Sequence, residues 1–138
     1  MEVEYFVKPS DWEQAFEAWR KLMHLFAEAI GLPHDMLHEL EIPAEERAHY
    51  SKRTIDFEFD YPFGRKELWG LAYRTDFDLV AHENASGTSL IYLDEETKEK
   101  FIPHVIEPSI GVDRTVLAIL TSAYREDTMS GEVRTYLA

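Results

Sequence analysis

Polar and apolar residues alternate strictly along TIDFEFDYPFG (54–64). Ile55, Phe57, Phe59 and Tyr61 point one way, and Asp56, Glu58 and Asp60 point the other. That period of two is the signature of a half-buried strand. ELWGLAYR (67–74) reads as a second strand after the turn at Pro62–Gly64, so the two form a hairpin neighbourhood. EVEYFVK (2–8) also alternates and is rich in β-formers; on its period Glu2, Glu4 and Phe6 share a face. SLIYLD (89–94) and KFIPHVIE (100–107) read as further strands joined by the charged turn EETKE. The period changes to that of a helix over 10–31, where Trp12, Phe16, Trp19, Met23, Phe26 and Ile30 form one apolar stripe. Ser10 and Glu13 give it a capping-box pattern, and Gly31 and Pro33 end it. Residues 75–87 predict a short helix, 112–126 a strongly apolar one, and the tail GEVRTYLA a short strand. Strands that follow one another through short turns, with helices between, predict an α+β fold: a mostly antiparallel sheet flanked by helices.

At 138 residues the chain amounts to one domain or part of one, and 45% hydrophobic content supplies a core. No apolar run approaches the roughly 20 residues of a membrane span. The start carries neither the basic region nor the apolar core of a signal peptide, and there is no cysteine. The expected location is cytoplasmic. The net charge of −13 opposes a broad electrostatic grip on nucleic acid, which needs Lys and Arg to displace counterions.

Three stretches carry candidate chemistry. HDMLH (34–38) resembles the zinc pattern H-E-x-x-H, but its Asp is a methylene shorter than the required base and the segment is short. An exposed short helix is the plainer expectation, with no structural metal. The acidic face Asp56, Glu58 and Asp60 suits a divalent cation or, more simply, solvent. VIEPSIGVDR (105–114) is the most informative. Glu107 ends an apolar run, and burying a carboxylate is costly unless it is paired. A Pro-Ser-Ile-Gly turn follows, and then a helix starts at Gly111 with Arg114 in its first turn, a favourable place for a phosphate. Two readings stay open on spacing alone. Glu107 and Arg114 form an ion pair that closes the turn, or they face a ligand with a cationic and an anionic end.

The runs MEVEYF, AHYSKRTIDFEFDYPFG, KELWGLAYRTDFDLVAH and YLDEETKEKFIPHVIEPSIGVDRTVLAIL resemble the catalytic core of glycyl-tRNA synthetase, the dimeric class II type. GVDR and its helix are similar to the third class II motif, and MEVEYF to the returning strand of the second. The resemblance implies activation of glycine by ATP with Mg²⁺, then transfer of the glycyl group to tRNA(Gly). It places Glu2 and Glu107 on the glycine ammonium with Ser109 beside them, and the backbone of Pro103, His104, Val105 and Ile106 along the substrate site. It gives Glu67, Leu68 and Gly111 to ATP, Arg114 to its γ-phosphate, and Glu67 and Glu107 to Mg²⁺. Arg74, Asp76, Asp78 and His82 belong to the family's RTDxDL…H signature and read as architecture first.

On the same resemblance, residues 1–138 correspond to a single partial domain, from the end of motif 2 through motif 3. Motif 1, the motif 2 loop with its α-phosphate arginine, and the anticodon-binding domain fall outside it. Very weak adenylation and self-association into a homodimer are therefore expected. The alternative is a non-catalytic synthetase-like binding or structural module. The retained Glu2, Glu107, Ser109 and Arg114 favour the enzyme, because a module freed from chemistry has no physical need of them.

Overall fold

The alternating segments become the centre of a five-stranded antiparallel sheet. The computed structural model describes residues 1–138. In chain order it contains β1 (Tyr5–Val7), α1 (Trp12–Ala29), β2 (Leu37–Glu41), β3 (Arg53–Tyr61), β4 (Gly64–Thr75) and α2 (Phe77–Ser86). These are followed by β5 (Tyr92–Leu93), β6 (Lys100–Phe101), β7 (His104–Ile110), α3 (Val112–Ala123), β8 (Tyr124–Met129) and β9 (Glu132–Leu137). The main sheet runs β1-β7-β4-β3-β2, while β5-β6 and β8-β9 are separate two-stranded ladders. The α+β reading with a mostly antiparallel sheet therefore holds.

The period of two divides the sheet into a dry face and a polar face. Ile55, Phe57, Phe59 and Tyr61 of β3 and Trp69, Leu71 and Tyr73 of β4 are all buried. They pack with Ile106 of β7, with Phe16, Met23 and Ala27 of α1, and with Ala118 of α3. The aromatic stripe of α1 thus serves the core: Trp12 stacks on Tyr73 with ring centroids 4.1 Å apart. α3 is pinned by a buried polar contact, in which Trp69 Nε1–H donates to Thr115 Oγ1 at 2.8 Å. That hydroxyl in turn donates to the Gly111 carbonyl at 2.8 Å.

Several local expectations are corrected. The S-x-x-E box does not cap α1. Asp11 is the N-cap and makes no side-chain cap bond, while Ser10 Oγ donates instead to Asp11 Oδ1 at 2.7 Å. HDMLH is not a helix; one 3₁₀ turn, His34–Met36, leads into β2. Leu37 needs burial opposite Phe59, and Glu39 accepts from Arg20 Nε at 2.8 Å and from Arg20 Nη2 at 2.5 Å. Those contacts reward a strand there. His38 consequently faces Asp60 at 2.7 Å rather than sharing a helix face with His34. β5 is shorter than 89–94, and KFIPHVIE is split between β6 and β7. The helix expected to reach 126 stops at Ala123, where the chain turns into the β8-β9 hairpin. The Pro-Ser-Ile segment after Glu107 is not a turn but the second half of β7.

Phe57 is fully buried at the centre of the core. Phe57→Ala is expected to cost roughly 3–5 kcal/mol through lost burial and an incompletely collapsed cavity. Denaturant unfolding of the two chains measures it.

Candidate active site

The polar face of the sheet is built by register. Asp56 of β3 pairs with Gly70 of β4, Gly70 pairs with Ser109 of β7, and Ser109 bridges to Glu2. Cross-strand partners share a face, so the four form one row across the sheet. A second row lies one step along β4, where Thr54 and Glu107 flank Ala72. Residues from both rows line a cleft of about 440 Å³, closed on one side by the loop carrying Glu46, Arg47 and Tyr50. Glu2 and Ser109, 107 positions apart in the sequence, are neighbours because β1 returns along β7.

Glu107 is mostly shielded, its side chain 13% exposed. It accepts a hydrogen bond from the Arg74 guanidinium. Arg74 also grips Asp78 through Nε at 2.8 Å and Nη2 at 3.0 Å, and it lies 4.0 Å over the Tyr50 ring. Charge-assisted hydrogen bonds from Arg74 hold the Asp78 carboxyl below the usual range. Arg114 makes a separate pair. Its Nη1 donates to the Glu67 carbonyl at 2.9 Å and lies 3.3 Å from Glu67 Oε2. The ion pair considered between Glu107 and Arg114 is thus absent; each has a partner on β4 instead. Arg114 is half exposed and sits beside the cleft residue Glu67 rather than in the cleft lining. The α3 start is pressed against β4, since a Cβ on Gly111 would come within 3.1 Å of the Leu68 carbonyl oxygen.

The remaining residues named from the sequence divide. Glu2, Glu67, Glu107 and Ser109 share the cleft. Pro103, His104, Val105, Ile106 and Leu68 do not line it. Ile106 and Leu68 are in the core, and Val105 is buried. His104 Nδ1 lies 2.5 Å from the Tyr73 hydroxyl, and Pro103 lines a separate hollow with Phe6, Tyr92 and Phe101. Glu67 and Glu107 each engage an arginine, and no group of three or more His, Asp or Glu side chains stands in metal-binding geometry.

Several cleft residues were missed in the sequence, Asp56 and Arg47 among them. Asp56 was grouped with a solvated acidic face, yet it lines the cleft beside Glu67, and burial, then Glu67 and Glu58, push its carboxyl above the usual range. Arg47 contributes a buried Nε with no hydrogen-bond partner. Glu4, next to Glu107, is likewise pushed up by burial and by neighbouring carboxylates. The signal for Asp56 was its place opposite Gly70, which only the register reveals.

No family model matches the chain. It is 47% identical over 138 residues to the glycine--tRNA ligase of Lachnospira eligens, covering 99% of this chain and 30% of that protein. It is 50% identical over 131 residues to that of Clostridium tetani, covering 95% and 28%, and 44% identical over 138 residues to that of Chlorobaculum tepidum, covering 99% and 29%. Over nearly its whole length the chain corresponds to a segment of glycine--tRNA ligases. It spans about three-tenths of the length of these glycine--tRNA ligases. No helix is long and apolar enough to cross a membrane.

Asp56 provides a test of the cleft's electrostatics. Its folded-state pKa is raised, so ionisation weakens the fold; the penalty is absent below the unfolded value of 3.8 and fully present above the folded one. Asp56→Asn is therefore expected to raise Tm at pH 7 by about 1–3 °C, the gain fading as pH falls towards 4. Thermal unfolding across pH measures it.

Proposed function

We propose that this chain is the part of a class II glycine--tRNA ligase core that binds glycine and part of ATP. In this reading the chain is a single partial domain whose parent activates glycine to glycyl-adenylate and passes it to tRNA(Gly). The observation that carries it is that Glu2, from the start of the chain, meets Glu107 and Ser109 of β7 in one cleft.

The chemistry suits these groups. Glycine has an ammonium and no side chain, so carboxylates are what can grip it. Glu2 and Glu107 supply them, and Ser109 adds a hydroxyl acceptor. The repulsion among clustered carboxylates is offset once a cation lies between them. Adenylation is attack by the glycine carboxylate on the α-phosphate. That carboxylate is already ionised, so the protein need not remove a proton; its contribution is positioning and neutralisation of charge. Arg114 is the group for the γ-phosphate. Its guanidinium is exposed and tethered to Glu67 on one side only, leaving donors free. Mg²⁺ accompanies the ATP phosphates and is typically held by one or two carboxylates; Glu67 and Glu107 are the candidates. Arg74 acts through Glu107, fixing its orientation from Asp78. Self-association belongs to the same proposal, as α3 leaves Val116, Leu117 and Leu120 exposed.

Isothermal titration of the chain with glycyl-sulfamoyl-adenosine, a non-hydrolysable adenylate analogue, is expected to show saturable binding. Glu107→Gln should weaken it tenfold or more, about 1.4 kcal/mol. A folded chain that takes no analogue overturns the reading. ATP is the matching probe for Arg114: Arg114→Ala should weaken ATP binding by a similar factor while leaving the fold intact, since the side chain is half exposed. Sedimentation at rising concentration tests self-association, and a monomer throughout would refute it.

A further inference from the structure

Gly70 lies in the interior of β4, paired on both sides, to Asp56 and to Ser109. A glycine in such a place weakens a strand and packs nothing, so its presence calls for a reason. Backbone strain is not the reason, because Gly70 does not adopt the left-handed conformation of Gly31, Gly64, Gly87 and Gly131. Close packing is not the reason either. A Cβ built on Gly70 meets no atom within 4 Å, whereas one on Gly111 meets the Leu68 carbonyl oxygen at 3.1 Å. The fold would accept alanine.

The Cβ would enter the cleft. In the row Asp56–Gly70–Ser109–Glu2, Gly70 is the one member without a side chain, which leaves a gap at the centre of the wall, between an acid and a hydroxyl. The same cleft holds the buried, partnerless Arg47 Nε, a polar atom that the protein alone does not satisfy. Gly70's own N–H and C=O belong to a strand paired on both sides, so any contact with a ligand here is by close approach rather than by a backbone hydrogen bond.

We propose that Gly70 is a specificity-determining residue: the space left by its missing side chain seats the ammonium-bearing end of the ligand flat against β4, beside Ser109 on the wall that carries Glu2 and Glu107. This rests on the reading of the cleft as the glycine site. It adds that acceptance of the ligand depends on volume at one strand position whose identity the fold does not require.

The test is titration with glycyl-sulfamoyl-adenosine of the wild-type chain, Gly70→Ala and Gly70→Val, beside thermal unfolding of all three. Gly70→Ala is expected to unfold at the same temperature or a few degrees higher, and to bind tenfold or more weakly. Gly70→Val is expected to fold and show no measurable binding. If Gly70→Ala binds within twofold of wild type, the inference fails while the glycine-site reading survives. If Gly70→Ala unfolds well below wild type, the glycine serves the fold and the inference fails by a different route. A folded wild-type chain that takes no analogue defeats the glycine-site reading itself, and this inference with it.

Discussion

The double pairing of β4 is the constraint on which the rest depends. It is the longest strand and is hydrogen-bonded to β3 on one side and β7 on the other. Its alternation therefore serves two purposes at once. Trp69, Leu71 and Tyr73 enter the core, and Gly70, Ala72 and Arg74 face the cleft side. A slip of one residue would bury Arg74 and expose Trp69, which the core cannot tolerate. The same hydrophobic burial that fixes the register thus fixes which polar residues meet. Asp56, Ser109 and Glu107 are brought to the cleft by the packing of their apolar neighbours, with no attraction needed among them.

That arrangement leaves an unbalanced charge. The cleft wall carries Glu2, Glu46, Asp56, Glu67 and Glu107, with Arg47 the one basic residue in the lining. Arg74 and Arg114 each engage a single cleft carboxylate, Glu107 and Glu67 respectively. Glu2 and Asp56 have no ion-pair partner, and burial, then the neighbouring Glu67 and Glu58, hold the Asp56 carboxyl above its usual range. A surface designed only for stability would pair or disperse these charges. Their concentration in a partly enclosed site is the kind of stored unfavourable energy that a cationic ligand relieves. It also explains why Glu107 does not reach for Arg114. Arg74 is closer along the sheet and already anchored by Asp78, so the pairing loses little side-chain freedom on forming.

Much of this was legible in the sequence, because alternation and helical spacing report directly on burial. The β3-β4 hairpin, the core face of α1, the α+β class and the burial of Glu107 all follow from such patterns. What failed were features set by partners distant in sequence. β2 read as a helical histidine pair because its strand character comes from pairing with β3 and from the Arg20–Glu39 contact, neither visible locally. Asp56 read as surface because alternation gives the face of a residue but not what covers that face; the loop with Glu46, Arg47 and Tyr50 covers it. The resemblance named Glu2, Ser109, Glu107 and Arg114 without showing that Glu107 and Arg114 would take separate partners.

The segment after Glu107 shows how a local signal can be right about chemistry and wrong about shape. Pro and Gly close together read as a turn, yet Pro108 sits within β7, fully buried against the core. It is tolerated because of where its missing N–H points. The Pro108 carbonyl accepts from Val3 N–H at 3.0 Å, so the nitrogen of the same residue faces the N-terminal segment rather than β4. Pro108 cannot return that bond. The ladder is interrupted there, and Glu2 meets Ser109 as an isolated bridge apart from β1. Central pairing with β4 is untouched, which is the condition for a proline in a sheet interior. The loss is confined to that one bond. Ile110 N–H donates to the Met1 carbonyl at 2.7 Å, so backbone bonds to β7 stand on both sides of Glu2. Glu2 is therefore held against Ser109 by its flanking pairs, while Glu107 and Ser109 are held by the pairing of β7 with β4.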